Sequence, residues 1–119
     1  MKNKISIITG ASGEIGQNLI NYFSKFENKK IIALDIDKPK QHTKVFKFIK
    51  GSILDNHIIN QINEEYIIEE IFHLAAILST KAEKNKQLAL DVNINGTINL
   101  FNLALSQHAT NNIVTTLSK

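Results

Sequence analysis

Three glycines at intervals of three, Gly10, Gly13 and Gly16, lie in the run Thr9-Gly10-Ala11-Ser12-Gly13-Glu14-Ile15-Gly16, directly after the apolar stretch Ile5-Ser6-Ile7-Ile8. Between a strand and a helix, that spacing has the makings of a pyrophosphate cradle. Gly10 lets the chain turn sharply out of the strand. Gly13 leaves no side chain between backbone N–H groups and an anion. Gly16 lets the helix lie close against the sheet, with its positive N-terminal end toward the phosphates. The competing reading is a glycine-rich turn with no ligand.

A carboxylate follows at the distance this chemistry requires. Lys30-Ile31-Ile32-Ala33-Leu34 reads as a second buried strand ending in Asp35, nineteen residues after Gly16. An acid there can accept both hydroxyls of an adenosine ribose and repels a 2′-phosphate, which favours NAD over NADP. The chain contains no Arg, so a 2′-phosphate could meet only a point charge such as Lys38. The plainer alternative is that Asp35 caps a strand in a solvated turn with Asp37 and Pro39.

Positioning these groups calls for alternating strands and helices. Strands are expected at Lys4–Thr9, Lys30–Asp35, Val45–Ile49, Glu70–Leu74 and Asn112–Leu117, and helices at Glu14–Glu27, Asp55–Glu65 and Asn85–His108. Leu19, Ile20 and Phe23 form the buried face of the first helix. Asp55 is a natural N-cap for the second, with Ile58, Ile59 and Ile62 turned inward. The third helix spreads Leu88, Val92, Leu103 and Leu105 over a broad apolar surface and must pack on the sheet and on something further. The alternation implies an α/β fold: a Rossmann-type doubly wound parallel sheet in the order 3-2-1-4-5, with its crevice at the carboxyl ends of strands 1 and 4. Residues 1–119 read as one domain. A sheet stopping at Ile113-Val114-Thr115-Thr116-Leu117-Ser118-Lys119 would leave strand 5 as an exposed edge, so the chain reads as truncated after strand 5.

Composition removes several classes. The 43% apolar content is ordinary, no apolar stretch approaches a membrane span, and Met1-Lys2-Asn3-Lys4 leads into a strand and not a signal-peptide core. With no cysteine there is no disulfide framework, Cys-ligated zinc or thiol catalysis, which is compatible with a cytoplasmic protein. The four histidines show no metal-ligand spacing, so no metal is expected. The +3 charge comes from scattered lysines, densest at Lys38, Lys40, Lys44, Lys47 and Lys50, without Arg or interleaved stacking aromatics. That pattern is a solvated rim and argues against nucleic acid as a partner.

Further segments carry a resemblance. Gly51-Ser52-Ile53-Leu54-Asp55, His73-Leu74-Ala75-Ala76 and Val92-Asn93-Ile94-Asn95-Gly96-Thr97, with the glycine run, resemble the extended short-chain dehydrogenase/reductase family of NAD-dependent epimerases and dehydratases. The stretch Ile77-Leu78-Ser79-Thr80-Lys81-Ala82-Glu83-Lys84-Asn85, running on to Leu90-Asp91-Val92-Asn93, is similar to the short-chain L-threonine 3-dehydrogenases within it. The resemblance implies that the whole chain corresponds to the first third or so of a member. Carried over position by position, it implies cofactor contacts at Gly10, Gly13, Glu14, Ile15, Gly16, Asp35, Ile36, Ser52, Ile53, Leu74, Ala75, Ala76 and Asn93. It implies a substrate contact at Ser79 and a catalytic helper at Ser118, a homodimer for a full-length member, and NAD as cofactor. The substrate would be threonine, oxidised at its β-hydroxyl carbon, or alternatively a nucleotide sugar; a non-catalytic NAD-binding module is a third reading.

The departures are specific. Ser52 stands where an Asp that contacts the adenine amino group is usual, Lys86 replaces a Pro, and Leu90 replaces a common Trp. The family's Tyr-x-x-x-Lys pair is missing, since Phe26 and Glu70 lie four residues beyond Tyr22 and Tyr66. That Tyr is the acid/base and the Lys lowers its pKa, so the chain alone is expected to be inactive. His73 reads as the residue closing strand 4 and not as a base. Asn93 and Asn95 are mediocre helix formers, which predicts a buried partner for at least one of them.

Overall fold

The computed structural model describes residues 2–39, 44–76, 83–111 and 115–118. Its elements are β1 (Asn3–Thr9), α1 (Glu14–Phe23), β2 (Ile31–Asp35), β3 (Lys47–Lys50), α2 (Asn56–Glu65), β4 (Tyr66–His73), α3 (Lys86–Leu90), a π-helical turn (Asp91–Gly96), α4 (Thr97–Asn111) and β5 (Thr115–Ser118). The strands form one sheet in the order β3-β2-β1-β4-β5. Every pairing is parallel, as the alternation of strands and helices requires.

A parallel sheet covered on both faces needs apolar side chains up and down its central strands. Ile5, Ile7, Ile32, Leu34, Ile68 and Ile71 share one cluster with Ile59 and Ile62 of α2 and Leu100, Leu103 and Ala104 of α4. Ile8, Ile31 and Ala33 share the other with Ala11 and Ile20, with Leu19 and Phe23 of α1 packed against it. The carboxyl ends of β1 and β4 thus meet at one rim, with α1 on one side and α4 on the other.

Two local devices fix the helices against the sheet, one at each end. Asp55 caps α2 as expected, its side chain accepting from the His57 and Ile58 amides. In β4, Ile5 aligns with Ile68 while Ser6 aligns with Glu70, leaving Glu69 as a bulge. Ile68 precedes the first β4–β5 pair, Glu70 with Thr115. Its N–H donates instead to Oε1 of Gln107, a buried residue of α4 whose Nε2 donates to the Asn63 side chain and the Tyr66 carbonyl. α4 is thereby stitched to the sheet where strand pairing lapses.

Three expectations are corrected. The helix expected to reach Glu27 stops at Phe23. The strand expected from Glu70 begins at Tyr66, directly after α2. The long helix expected over Asn85–His108 is interrupted: Asn85 caps α3 through its side chain, which accepts from the Leu88 amide, and the π-turn separates α3 from α4. Its broad apolar surface divides accordingly, with Ala89, Leu100 and Leu103 buried and Leu88 and Leu105 exposed. The start expected for the last strand at Asn112 lies outside the described residues.

Candidate functional site

The cleft begins where β1 ends. Gly10 has φ +66°, a conformation glycine adopts without penalty. A Cβ there would stand 2.7 Å from the Ala75 nitrogen and the Leu74 carbonyl carbon, so the turn lies directly on the backbone that leaves β4. Gly16 is equally constrained, but by the turn and not the sheet: its Cβ would stand 2.6 Å from the Gly10 carbonyl and 2.7 Å from that of Ala11. Gln17 secures the same turn, Nε2 donating to the Ala11 carbonyl at 2.7 Å.

Gly13 is different. Its Cβ would meet nothing closer than the Gly10 carbonyl at 3.4 Å, an ordinary contact. It is the N-cap of α1 with extended backbone, and no side chain caps the first turn. The protein does not itself require glycine there, and the positive helix end lies open with Glu14 and Ile15 exposed beside it. The open helix end and the missing Cβ leave room that would suit a pyrophosphate.

Asp35 closes β2 beside that turn. Its Oδ2 accepts from the Ser12 amide at 2.9 Å and its Oδ1 from the Asp37 amide at 3.2 Å. The Ser12 hydroxyl donates to the Asp37 carbonyl at 2.6 Å, so the glycine turn and the post-β2 loop are cross-linked. A carboxylate has about four acceptor positions, and these two bonds leave about two of them. Ile36, next to it, is exposed. Nothing in the sequence singled out Ser12, because its amide, not its residue type, makes the key bond.

The other predicted positions divide. Ser52 Oγ accepts from the Leu54 amide, a local turn bond. Ile53 is a core residue: a Cβ on Gly96 would lie 2.3 Å from Ile53 Cδ1, and the Ile53 carbonyl accepts from Asn99. Leu74 and Ala75 are half-buried under the glycine turn and Ala76 is exposed. Asn93 lies exposed on the π-turn, and Asn95 donates to half-buried Asp91 at 3.1 Å. Ser79 lies outside the described residues. Ser118 ends β5, its backbone aligned with His73.

His73 is 4% exposed and carries no charged neighbour in a hydrogen bond. Its Nδ1 lies 2.7 Å from Thr9 Oγ1 and its Nε2 2.9 Å from Thr97 Oγ1. Burial holds its pKa below the ordinary value by penalising the charged ring. Residue type alone does not single out Thr97, whereas a Thr ending an otherwise apolar strand, as Thr9 does, is a readable signal. Among the described residues no group of three or more His, Asp or Glu could hold a metal, and no helix is long and apolar enough to cross a membrane.

The model of the NAD dependent epimerase/dehydratase family matches residues 6–118. The chain belongs to that family. A protein of Homo sapiens described as inactive L-threonine 3-dehydrogenase, mitochondrial, is 39% identical over 102 residues, covering 82% of this chain and 44% of that protein. A dTDP-D-glucose 4,6-dehydratase of Dictyostelium discoideum is 40% identical over 80 residues, covering 59% and 18%. The solved apo form of a monomeric L-threonine 3-dehydrogenase from a metagenome is 42% identical with a TM-score of 0.75, covering 87% of this chain and 33% of that one. The chain therefore spans less than half the length of the relatives it matches. Membership of the family implies a nicotinamide dinucleotide cofactor, and the glycine turn has the geometry to receive one.

Proposed function

We propose that this chain is the NAD-binding part of an L-threonine 3-dehydrogenase-like oxidoreductase. The observation that carries this is the open, uncapped helix end at Gly13, a position glycine occupies without any demand from the protein's own packing, next to an Asp35 with acceptor positions left over. Gly10, Gly13 and Gly16 shape the anion cradle with the Glu14 and Ile15 backbone, and Asp35 and Ile36 receive the adenosine ribose. Leu74, Ala75 and Ala76 floor the cleft, and Ser52, Ile53 and Asn93 border it. When bound, the nicotinamide supplies the hydride acceptor for a carbinol carbon. Ser79 contacts the substrate and Ser118 assists proton transfer, roles that rest on the resemblance.

Isothermal titration with NAD and NADP tests the cofactor assignment. NAD should bind more tightly, because Asp35 repels a 2′-phosphate and no Arg is present to offset it. Equal or tighter NADP binding would overturn the role of Asp35. Hydride departure needs the hydroxyl proton removed, a contribution of about 10²- to 10⁴-fold from a placed base. The 119 residues hold no Tyr-x-x-x-Lys. NAD and L-threonine with this chain should give no NADH absorbance above the control, and saturable turnover lost in His73→Ala would make His73 the base.

A second reading, nucleotide-sugar dehydration or epimerisation, is favoured by the Dictyostelium relative; tighter binding of a thymidine diphosphate sugar than of threonine in a member that continues this sequence would select it. Homodimerisation is a separate proposal. Ile94, Ile98, Phe101 and Leu105 are each about half exposed and follow the four-three-four spacing of a helix–helix seam, whereas the metagenomic relative is described as monomeric. Sedimentation of the chain at high concentration decides between them. The cytoplasm is the proposed compartment.

A further inference from the structure

The hydroxyl of Thr9, fully buried, accepts the Leu74 and Ala75 amides, both at 3.1 Å. The Leu74 amide is shared with the Thr9 carbonyl at 3.2 Å, and with both amides on its oxygen the hydroxyl sends its single proton to His73 Nδ1. That makes Nδ1 an acceptor and leaves the ring proton on Nε2, which donates to Thr97 Oγ1. Thr97 in turn donates to the Asn93 carbonyl at 2.8 Å, inside the π-turn. Every proton in this chain of bonds has one direction. The chain runs from the strand that launches the glycine turn, through the floor of the cleft, to the segment carrying Asn93. A π-turn lacks the regular ladder of an α-helix and tends to mark functional sites, so side-chain bonds of this kind decide its shape.

We propose that His73 is a positioning residue for the dinucleotide cleft: as the neutral Nε2–H tautomer it ties the π-turn bearing Asn93 to Thr9 and the glycine turn. The inference rests on the reading of this cleft as a cofactor site. A second ring proton would set Nδ1–H against the Thr9 O–H and in competition with the Leu74 and Ala75 amides for its oxygen, and the link would weaken. The charged groups around the ring do not offer an alternative partner. Asp91 of the π-turn is held by Asn95 and Gln87, Glu70 of β4 is paired with Lys29, and Glu69 is exposed at the bulge. β1 carries no charge beyond Lys4, β5 carries none, and the one titratable group of α4, His108, is exposed in its last turn. Burial, which holds the ring neutral, agrees with this arrangement.

The test uses the 119-residue chain with ¹⁵N labelling, in wild type and in the Thr97→Val and His73→Gln variants. Imidazole nitrogen shifts should report the Nε2–H tautomer in the wild type. Thr97→Val, nearly isosteric and only half-buried, should keep the fold yet speed amide exchange across residues 94–100 at least tenfold. It should also weaken NAD several-fold with little pH dependence. Wild-type NAD affinity should decline as the pH drops through the ring's pKa. His73→Gln, whose amide can reach Thr97 without titrating, should recover part of the affinity and give a flat profile. An Nδ1–H tautomer, unchanged exchange in Thr97→Val, or parallel pH profiles for wild type and His73→Gln would overturn the proposal. Absence of both NAD and NADP binding in a wild type that shows the tautomer and the exchange effect would instead sink the cofactor reading, leaving His73 a structural tie.

Discussion

The two walls of the cleft are held by different means. On the β1–α1–β2 side, the backbone does the work: Gly10 and Gly16 allow main-chain contacts no other residue permits, and Asp35 binds two amides. On the β4–α3–α4 side, a π-turn interrupts the helix, and its place is set by side chains, namely His73, Thr97 and Asn99 at the cleft, with Gln107 holding the far end of α4. The first wall is rigid because its alternatives are sterically excluded. The second is adjustable because each bond holding it contributes about 1 kcal/mol net. A cofactor's phosphates need the first kind of surface, and a reacting ring that must be oriented tolerates the second.

Substitutions can break that contrast. The largest effect is expected for Gly10→Val, which meets both a positive φ and backbone atoms at 2.7 Å. It should destabilise the fold by about 3 kcal/mol or more, read as a shift in the urea midpoint. Gln107→Leu, at the far end of the helix that forms the other wall, strips the buried Ile68 amide of its acceptor and should cost about 1–3 kcal/mol. If it costs as much as Gly10→Val, the walls are not differently built. Asn85→Ala removes the cap of α3 and should cost about 1 kcal/mol, with faster amide exchange confined to that helix.

The smallest effect is a pH dependence. His73 has a folded pKa lowered by burial, so the unfolded chain binds the proton more readily. Its contribution to stability is complete above the unfolded histidine value, about 6.5, and is lost as pH falls from there through the folded pKa. Urea midpoints between pH 5 and 8 should fall toward acid in the wild type more than in His73→Gln.

The contrast also explains what was readable in the sequence. Glycine spacing, the Asp35 that ends an apolar run, and the Asp55 cap are local signals, and each marks the element the structure contains. The strand order is the one that alternation implies once a glycine turn of this kind follows the first strand. The π-turn was not readable, since Asp91–Gly96 continues an acceptable helical pattern and the bond beside it joins His73 and Thr97 across 24 residues. The early start of β4 was hidden because Tyr66-Ile67-Ile68 follows α2 with no turn residue between them. Partners distant in sequence, such as Thr9 with His73 or Gln107 with Ile68, leave no periodic trace.

The Gly13 position tests the central claim most directly, because stability and binding separate there. Gly13→Val should leave the unfolding free energy, read from the urea midpoint, within about 1–2 kcal/mol of wild type, since the added Cβ makes only an ordinary contact and the cost is that of a poorer N-cap. The same variant should lose measurable NAD binding in isothermal titration. NAD binding equal to that of the wild-type chain would show that no phosphate approaches Gly13, and the cradle would have to be placed elsewhere.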